Sequence, residues 1–370
     1  MTTTVTMVAS RFRDGGVERL MNRLAAGLLA EGVGCRFVLG ETGAGAAAAA
    51  IPEGVMVERA EPRSVARHLV DVVSQTAGQQ AVLIFRSTDC SPVIRNLAAL
   101  GASRPRVFIV AGDYLSPRLQ RTGMARIKAW KYRRRIRADW QRVDGIITTH
   151  PAITDDWLQT GLLMASQLHT LHPPVVGPDI DALSQESVPH PWLNEQTPVV
   201  LGVGRLTTNK RFELLLRAVA LTARQRRIRL IILGRGPEES GLRRLADELG
   251  IADSVAFPGY AVNPYSWMRY ADVLALPSRV EPLGLVLIEA LYVGTPFVAT
   301  RTPPGPASIM ATTGQGQILA EDTPECLADA LDKACQTTPP IEAMRSAAEA
   351  YDYRRSSREY MAVLLASSTS

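Results

Sequence analysis

The stretch VLALPSRVEPLGLVLIEALYVGTPFVAT, residues 273–300, decides the fold. It opens on a short continuous apolar run, residues 273–276, of the kind that forms a strand buried on both faces of a parallel sheet. Pro277 ends that run, and a loop carrying Glu281 follows. Pro282 and Gly284 then hand over to a helix, residues 285–292, that carries Glu289. Gly294 stops the helix, and residues 297–300 return to a strand. Strand, loop, helix and strand in this order make one βαβ unit.

The same alternation continues on both sides. On the N-terminal side of this stretch and after residue 198, strands are expected at 199–203, 229–233 and 255–257, with helices at 212–224 and 239–249. Near the N-terminus, residues 5–10 read as a strand and residues 11–16 as a polar loop ending on Gly15 and Gly16. Val17, Leu20, Met21, Leu24, Leu28 and Leu29 then recur at helical spacing, Gly32 and Gly34 stop the helix, and residues 35–39 form the next strand. Residues 81–85, 107–110 and 145–148 are further buried-strand runs, and residues 40–50, rich in Gly and Ala, read as a loop. A chain of 370 residues exceeds one ordinary core. The fold class is therefore α/β, with two Rossmann-like doubly wound domains facing a cleft and ligands expected at the carboxyl ends of the strands.

Residues 184–198, which hold Pro189, Pro191 and Pro198, are expected to link the domains. That gives a first domain over residues 1–183 and a second over residues 199–350. The tail reads as helical over residues 344–365, with residues 351–370 placed to pack back on the first domain.

Composition narrows the function only broadly. The formal net charge of +5 suits anionic partners without choosing among them. Cys35, Cys90, Cys326 and Cys335 form no CxxC pair and fit neither a zinc site nor a disulfide scaffold, so reduced thiols and a cytoplasmic setting are expected. No apolar run is long enough to span a bilayer, and the first residues lack a signal peptide's basic and apolar regions.

Three loops carry the chemistry. In the first, Gly284 lets a ligand approach the backbone. The N–H groups opening the next helix, with its dipole behind them, make an anion site that a diphosphate fits. Glu281 and Glu289 lie eight residues apart across this turn. Facing carboxyls in glycoside hydrolases stand about 5–9.5 Å apart, whereas eight helical residues span about 12 Å. The turn leaves a facing pair, two separate sugar contacts and two solvated charges all open. The second loop is GVGRLTTNK, residues 202–210, at the end of the second domain's first strand. Arg205 offers a planar fork for phosphate and Lys210 a compact charge. Preplaced cations of this kind stabilise charge that grows on a departing diphosphate; two solvated surface charges are the other reading. The third is LGRGPE, residues 233–238, with Gly234 and Gly236 but without the third glycine of a dinucleotide fingerprint, so NAD is not expected.

Taken in order, these segments resemble the retaining glycosyltransferases of the GT-B fold, family-four type. The resemblance runs through Gly204-Arg205-Leu206 with Lys210, Gly234-Arg235-Gly236, Phe257-Pro258-Gly259-Tyr260 and Asn263-Pro264-Tyr265. It continues through Glu281-Pro282-Leu283-Gly284 to Glu289, the E-x7-E motif, and ends with Gly294-Thr295-Pro296 and Gly305-Pro306. The resemblance implies a nucleotide-sugar donor, with a UDP-sugar first, and a glycan or lipid-linked acceptor in surface polysaccharide or glycoconjugate synthesis. It implies Arg205 and Lys210 on the donor diphosphate, Glu289 on the ribose hydroxyls and Glu281 beside the donor sugar. The backbone of Leu283, Gly284 and Leu285 would face sugar and phosphates, and that near Tyr260 and Ala261 the base. It implies no metal and no cofactor.

The first domain is similar to the family in its Gly15-Gly16-Val17-Glu18-Arg19 loop and helix start. It departs where many members carry a histidine near the transferred sugar: here the sequence reads Val110-Ala111-Gly112-Asp113-Tyr114, and Asp113 takes the polar place. Ser308 likewise stands where a glutamate is common. The alternatives are a non-catalytic GT-B partner protein, a sugar-nucleotide epimerase and a phosphorylase with a pyridoxal group.

Residues 118–137, opening on Arg118 and closing on Arg137, are dense in Arg and Lys and interleave Trp130, Tyr132 and Ile136. Such a basic amphipathic helix suits the inner, anionic face of a membrane; a solvated helix near the cleft is the other reading. Nucleic acid is not expected, because no nucleic-acid motif accompanies the charge. His150 and His172 fall at ends of first-domain elements.

Overall fold

In a computed structural model the apolar runs become strands of two parallel sheets. One unit comprises Met1–Val175 with Tyr351–Ser370, the other Val176–Ala350. The structure describes residues 3–12, 15–42, 50–61, 64–76, 80–85, 87–119, 125–187, 190–301, 304–337 and 339–366. Most of the expected loop at 40–50, linker residues 188–189, residues 120–124 of the basic segment and the side chains of Arg118, Arg126, Lys128 and Tyr132 lie outside these.

The first unit runs β1 (Thr4–Phe12), α1 (Gly16–Ala30), β2 (Gly34–Thr42), β3 (Met56–Arg59), α2 (Val65–Ser74), β4 (Gln80–Ile84), α3 (Ser87–Ala98), β5 (Arg106–Ala111), α4 (Ser116–Leu119), α5 (Ala125–Trp140), β6 (Gly145–Thr148), α6 (Pro151–Gln159) and β7 (Leu168–Thr170). Its strands lie parallel in the order β3-β2-β1-β4-β5-β6-β7. Alternation along β1 sends neighbours to opposite faces. Val5, Met7 and Ala9 pack with Met21, Leu24 and Leu28 of α1. Val8 turns to the other face, with Leu69 and Val73 of α2 and Ile136 and Trp140 of α5. Full burial of each such side chain contributes about 1.5–3 kcal/mol.

The second unit runs α7 (Ile180–Ser184), β8 (Val199–Val203), α8 (Phe212–Ala223), β9 (Arg229–Leu233), α9 (Glu239–Glu248), β10 (Val255–Gly259), α10 (Tyr265–Tyr270), β11 (Val273–Leu276), α11 (Leu285–Val293), β12 (Phe297–Ala299), α12 (Pro304–Thr313), β13 (Gln317–Ile318), α13 (Pro324–Gln336) and α14 (Ile341–Ala348). The parallel order is β10-β9-β8-β11-β12-β13. Val200, Leu230, Ile232 and Val273 meet Phe212, Leu215 and Val219 of α8 and Leu327 and Leu331 of α13 on one face. Strand order reverses between β8 and β11, and there the connections leave to opposite faces. The crevice outside the carboxyl ends of such a pair is where ligands bind in open α/β sheets.

One sequence expectation needs correction. Residues 184–198 belong to the second unit. Pro191 opens a tight turn, Pro191–Asn194, whose Leu193 is buried. His190 stacks edge-on to Trp192 at 4.8 Å and tilts against Trp267 at 5.9 Å. Pro191 thus opens a packed turn, because the large apolar residues Trp192 and Leu193 follow it. The tail is helical in two pieces: after α14 the chain returns to the first unit and starts α15 (Tyr353–Leu364). Asp352 makes the break by capping, accepting from the N–H groups of Arg354 at 2.9 Å and Arg355 at 3.1 Å. Tyr360 and Leu364 of α15 then join the α1 face of the first sheet.

Candidate functional site

The loops that leave β8, β9 and β10 run side by side past the sheet edge. Gly204 N–H donates to Leu233 O at 2.9 Å, Gly234 N–H to Gly259 O at 2.8 Å, and Leu206 N–H to Arg235 O at 3.0 Å. This lattice holds Arg205 at the rim, exposed and without a hydrogen bond or ion pair to any described residue. The β8 loop ends in a tight turn, Thr208–Lys210. The N–H of Arg279 ties that turn to the β11 loop by donating to Asn209 O at 2.7 Å.

This pairing brings Lys210 onto Glu281. Lys210 Nζ donates to Glu281 Oε2 as an ion pair, and Ser278 Oγ donates to the same oxygen at 3.1 Å. Both side chains are largely enclosed, at 22% and 12% exposure. The two residues are 71 positions apart in sequence and meet because β8 and β11 are neighbours. A charge-assisted contact of this kind is stronger and more directional than a surface pair.

Three residues beyond Glu281, Gly284 adopts φ 93° and ψ 59°, a left-handed conformation that suits glycine, and caps α11. Leu287 N–H donates back to Gly284 O at 2.9 Å, which leaves the N–H groups of Leu285 and Val286 to open α11, where the positive end of its dipole lies. Leu283 is buried and Leu285 half-buried at this turn. The helix itself is nearly apolar, with Leu287, Ile288, Ala290 and Leu291 all buried. Glu289 sits among them at 1% exposure, and Tyr265 Oη donates to its Oε1 at 3.2 Å. A buried carboxylate is costly without such partners. Tyr260, 48% exposed, and the half-buried Ala261 follow the end of β10.

The structure thus joins Lys210 and Glu281 by side chains, and Leu233 and Arg235, on either side of Gly234, to the Arg205 loop by backbone. Glu281 and Glu289 have different partners. Ser278 and Tyr265 went unassigned in the sequence. Ser278 stands three positions before Glu281; nothing in the spacing pairs Tyr265 with Glu289, 24 residues on.

In the first unit Gly15 precedes α1 in extended conformation, and Glu18, buried in the first turn, folds its carboxylate back against Gly15. Gly16 is the first residue of α1. This helix start thus carries its own carboxylate, which complements the dipole. Asp113 is exposed on the loop after β5. Its carbonyl accepts from Trp157 Nε1 at 2.9 Å, and Asp156 Oδ2 accepts from Leu115 N–H at 2.6 Å. The loop borders a pocket along which Trp140 and Trp157 stack at 4.7 Å. Tyr114 lines it too; burial pushes its phenol well above the usual range. His150 meets the Tyr114 ring edge-on at 6.1 Å.

On α5, Arg133, Arg134, Arg135 and Arg137 are exposed, while Ile136 and Trp140 are buried. Trp130 is 58% exposed, with the Arg134 guanidinium 5.8 Å from its ring. Among the described residues no helix is long and apolar enough to cross a membrane, and no group of three or more His, Cys, Asp and Glu is placed to hold a metal ion.

The chain is 39% identical over 119 residues to the lipopolysaccharide core biosynthesis glycosyltransferase LpsD of Rhizobium meliloti (strain 1021), covering 31% of this chain and 34% of that protein. It is 36% identical over 172 residues to the D-inositol 3-phosphate glycosyltransferase of Streptomyces griseus, covering 43% of this chain and 36% of that protein. The matched part thus spans about a third of the length of these relatives. Over 99% of this chain and 100% of the other, the fold superposes on Anabaena Alr3699/HepE in complex with UDP, with a TM-score of 0.75 and 17% identity. The chain therefore has two Rossmann-like domains of the kind found in GT-B glycosyltransferases, and its residues 185–351 match the family of glycosyl transferases group 1.

Proposed function

We propose that this protein is a retaining glycosyltransferase that moves a sugar from a nucleoside diphosphate sugar, UDP-linked, to a hydroxyl of a glycan or glycolipid acceptor. The observation that carries the reading is the cluster at the β8/β11 reversal: exposed Arg205, Lys210 held on Glu281, and the N-terminus of α11 capped by Gly284. It supports a diphosphate site in which Arg205, Lys210 and the helix N–H groups bind the two phosphates. As the bond from the sugar to the β-phosphate breaks, negative charge builds on the leaving group, and the same cations stabilise it. The acceptor oxygen forms its bond on the face the phosphate leaves. Glu289 accepts from the ribose hydroxyls, with Tyr265 fixing its carboxylate. Glu281 borders the sugar, the backbone of Leu283 to Leu285 faces sugar and phosphates, and that of Tyr260 and Ala261 faces the base.

The match of residues 185–351 and the UDP complex of a structural neighbour support this reading. The surface synthesis of its relatives supports a lipopolysaccharide-like acceptor. The exposed α5 arginines beside Trp130 support contact with an anionic membrane surface. The test is a thermal-shift and transfer screen across UDP-, GDP- and ADP-sugars, run with and without a chelator. A raised melting temperature with one nucleotide, and sugar transfer that survives chelation with the anomeric configuration kept, are expected. A chain stabilised by no nucleoside diphosphate overturns the proposal. Binding without transfer or donor hydrolysis favours the non-catalytic alternative.

A further inference from the structure

Arg211, next to Lys210, is the one non-glycine residue with positive φ among the described residues, at φ 47° and ψ 42°. An L-residue with a long side chain seldom adopts this region. Arg211 precedes α8 as its N-cap, yet its side chain makes no capping bond. The guanidinium reaches sideways instead. Its Nε donates to Pro277 O at 2.9 Å, where the β11 loop begins, and its Nη2 pairs with Asp322 Oδ2 at 2.9 Å. Both side chains are well covered, at 14% and 18% exposure. The other oxygen of Asp322 accepts from Arg301 N–H at 2.8 Å, just past β12.

One side chain therefore spans the end of the β8 loop, the start of the β11 loop and the segment before α13. With the Arg279-to-Asn209 bond it makes a second tie between the Lys210 turn and the stretch carrying Ser278 and Glu281. The left-handed residue sets the direction in which Lys210 leaves the turn, and the ion pair locks that residue. Resting on the proposed donor site, we infer that Arg211 and Asp322 are positioning residues, a latch that aims the Lys210 ammonium at the distal phosphate of a nucleoside diphosphate without touching it.

A positioning role predicts a loss confined to the distal phosphate; a merely structural one lowers all nucleotide binding together. The experiment titrates the full chain calorimetrically with UDP and UMP, and with GDP and GMP in parallel. It compares wild type, Arg211→Gly, Arg211→Lys, Asp322→Asn, Lys210→Ala and the double variant Lys210→Ala/Arg211→Gly. Arg211→Gly relieves the backbone and removes the latch; Asp322→Asn loosens it while keeping an acceptor for Arg301. Both are expected to weaken the diphosphate about tenfold, ~1.4 kcal/mol, and to leave the monophosphate within about twofold, with Arg211→Lys partly restored. In the Lys210→Ala background Arg211→Gly is expected to add nothing, since a latch for an absent ammonium has no work left. Equal losses of mono- and diphosphate, no loss of either, or losses that multiply in the double variant would each overturn the latch. A wild-type chain that binds none of the four nucleotides overturns the donor-site reading, and the latch with it; wild-type binding with an unaltered Arg211→Gly variant overturns the latch alone.

Discussion

Gly234→Ala tests whether the loops after β8 and β9 are as close as the hydrogen bonds indicate. Gly234 has φ 141°, and a Cβ built on it would lie 1.8 Å from Gly204 O and 2.9 Å from Gly204 C. Both neighbours are backbone, so no flexible side chain can swing aside. Relief requires that the Gly204–Arg205 segment move away, stretching the bond from Gly204 N–H to Leu233 O. Overpacking of this sort costs about 1–3 kcal/mol, and the left-handed backbone adds about 1–2 kcal/mol for alanine. A total of about 3 kcal/mol corresponds to roughly 6–12 °C in a unit of this size. Calorimetry of the full chain reads this as a downshift of the second unit's transition. Gly241→Ala is the matched control: it lies in α9 with nothing within 4 Å of the added carbon, and is expected to stabilise by about 0.5–1 kcal/mol. If Gly234→Ala melts with or above wild type while Gly241→Ala behaves as expected, the close approach of the two loops is refuted.

Three further outcomes follow from the same geometry. Glu289→Gln keeps the size of the buried side chain and an acceptor for Tyr265 but removes the charge; losing a charged hydrogen bond to ribose costs about 1.5–3 kcal/mol, or roughly 10- to 100-fold in donor affinity, so the wild-type preference for UDP over its 2′-deoxy analogue should vanish, and an unchanged preference rules out the ribose role. Glu281→Gln frees Lys210 from a carboxylate; UDP should bind as tightly or more tightly while sugar transfer falls, and a parallel loss of both rejects the assignment of Glu281 to the sugar. Replacing Arg133, Arg134 and Arg137 with Gln should weaken binding to anionic vesicles by about 1 kcal/mol per charge, most at low salt; binding that ignores these changes and the salt leaves the α5 surface without a membrane role.

Local chemistry was legible where it depended on neighbours in sequence. The glycines and charges of residues 202–210 and the Pro-Gly turn before α11 marked loops at strand ends, and the structure puts them there. Strand order was not legible, since parallel strands pair through connections whose direction no local pattern records. That order alone brings Lys210 to Glu281 and joins Tyr265 to Glu289. Edge strands β7 and β13 have three and two residues, too short to show a period. Prolines misled at residues 184–198 because Trp192 and Leu193 between them pack, and the break before α15 rests on one capping side chain, Asp352.

The Lys210–Glu281 pair also sharpens how a donor site would divide its charges. An ammonium has three donors and no acceptor, so one lysine can hold a carboxylate and still face a phosphate. Paired in this way, Lys210 adds little net positive charge, and long-range attraction of an anionic donor falls to Arg205, which has no partner among the described residues, and to the α11 N-terminus. A departing sugar gains positive character as its diphosphate gains negative charge. On the proposed reading the ammonium lies on the phosphate side and the carboxylate on the sugar side, so their pairing sets two opposite charges in place before either partner arrives. The fixed geometry matters more than the strength of the pair: the electrostatic gain is realised only if neither group reorients as charge separates. Ser278, the Arg279-to-Asn209 bond and the left-handed Arg211 all restrict that reorientation, which is why the loops around the pair are tied to the sheet more tightly than an exposed ion pair would require.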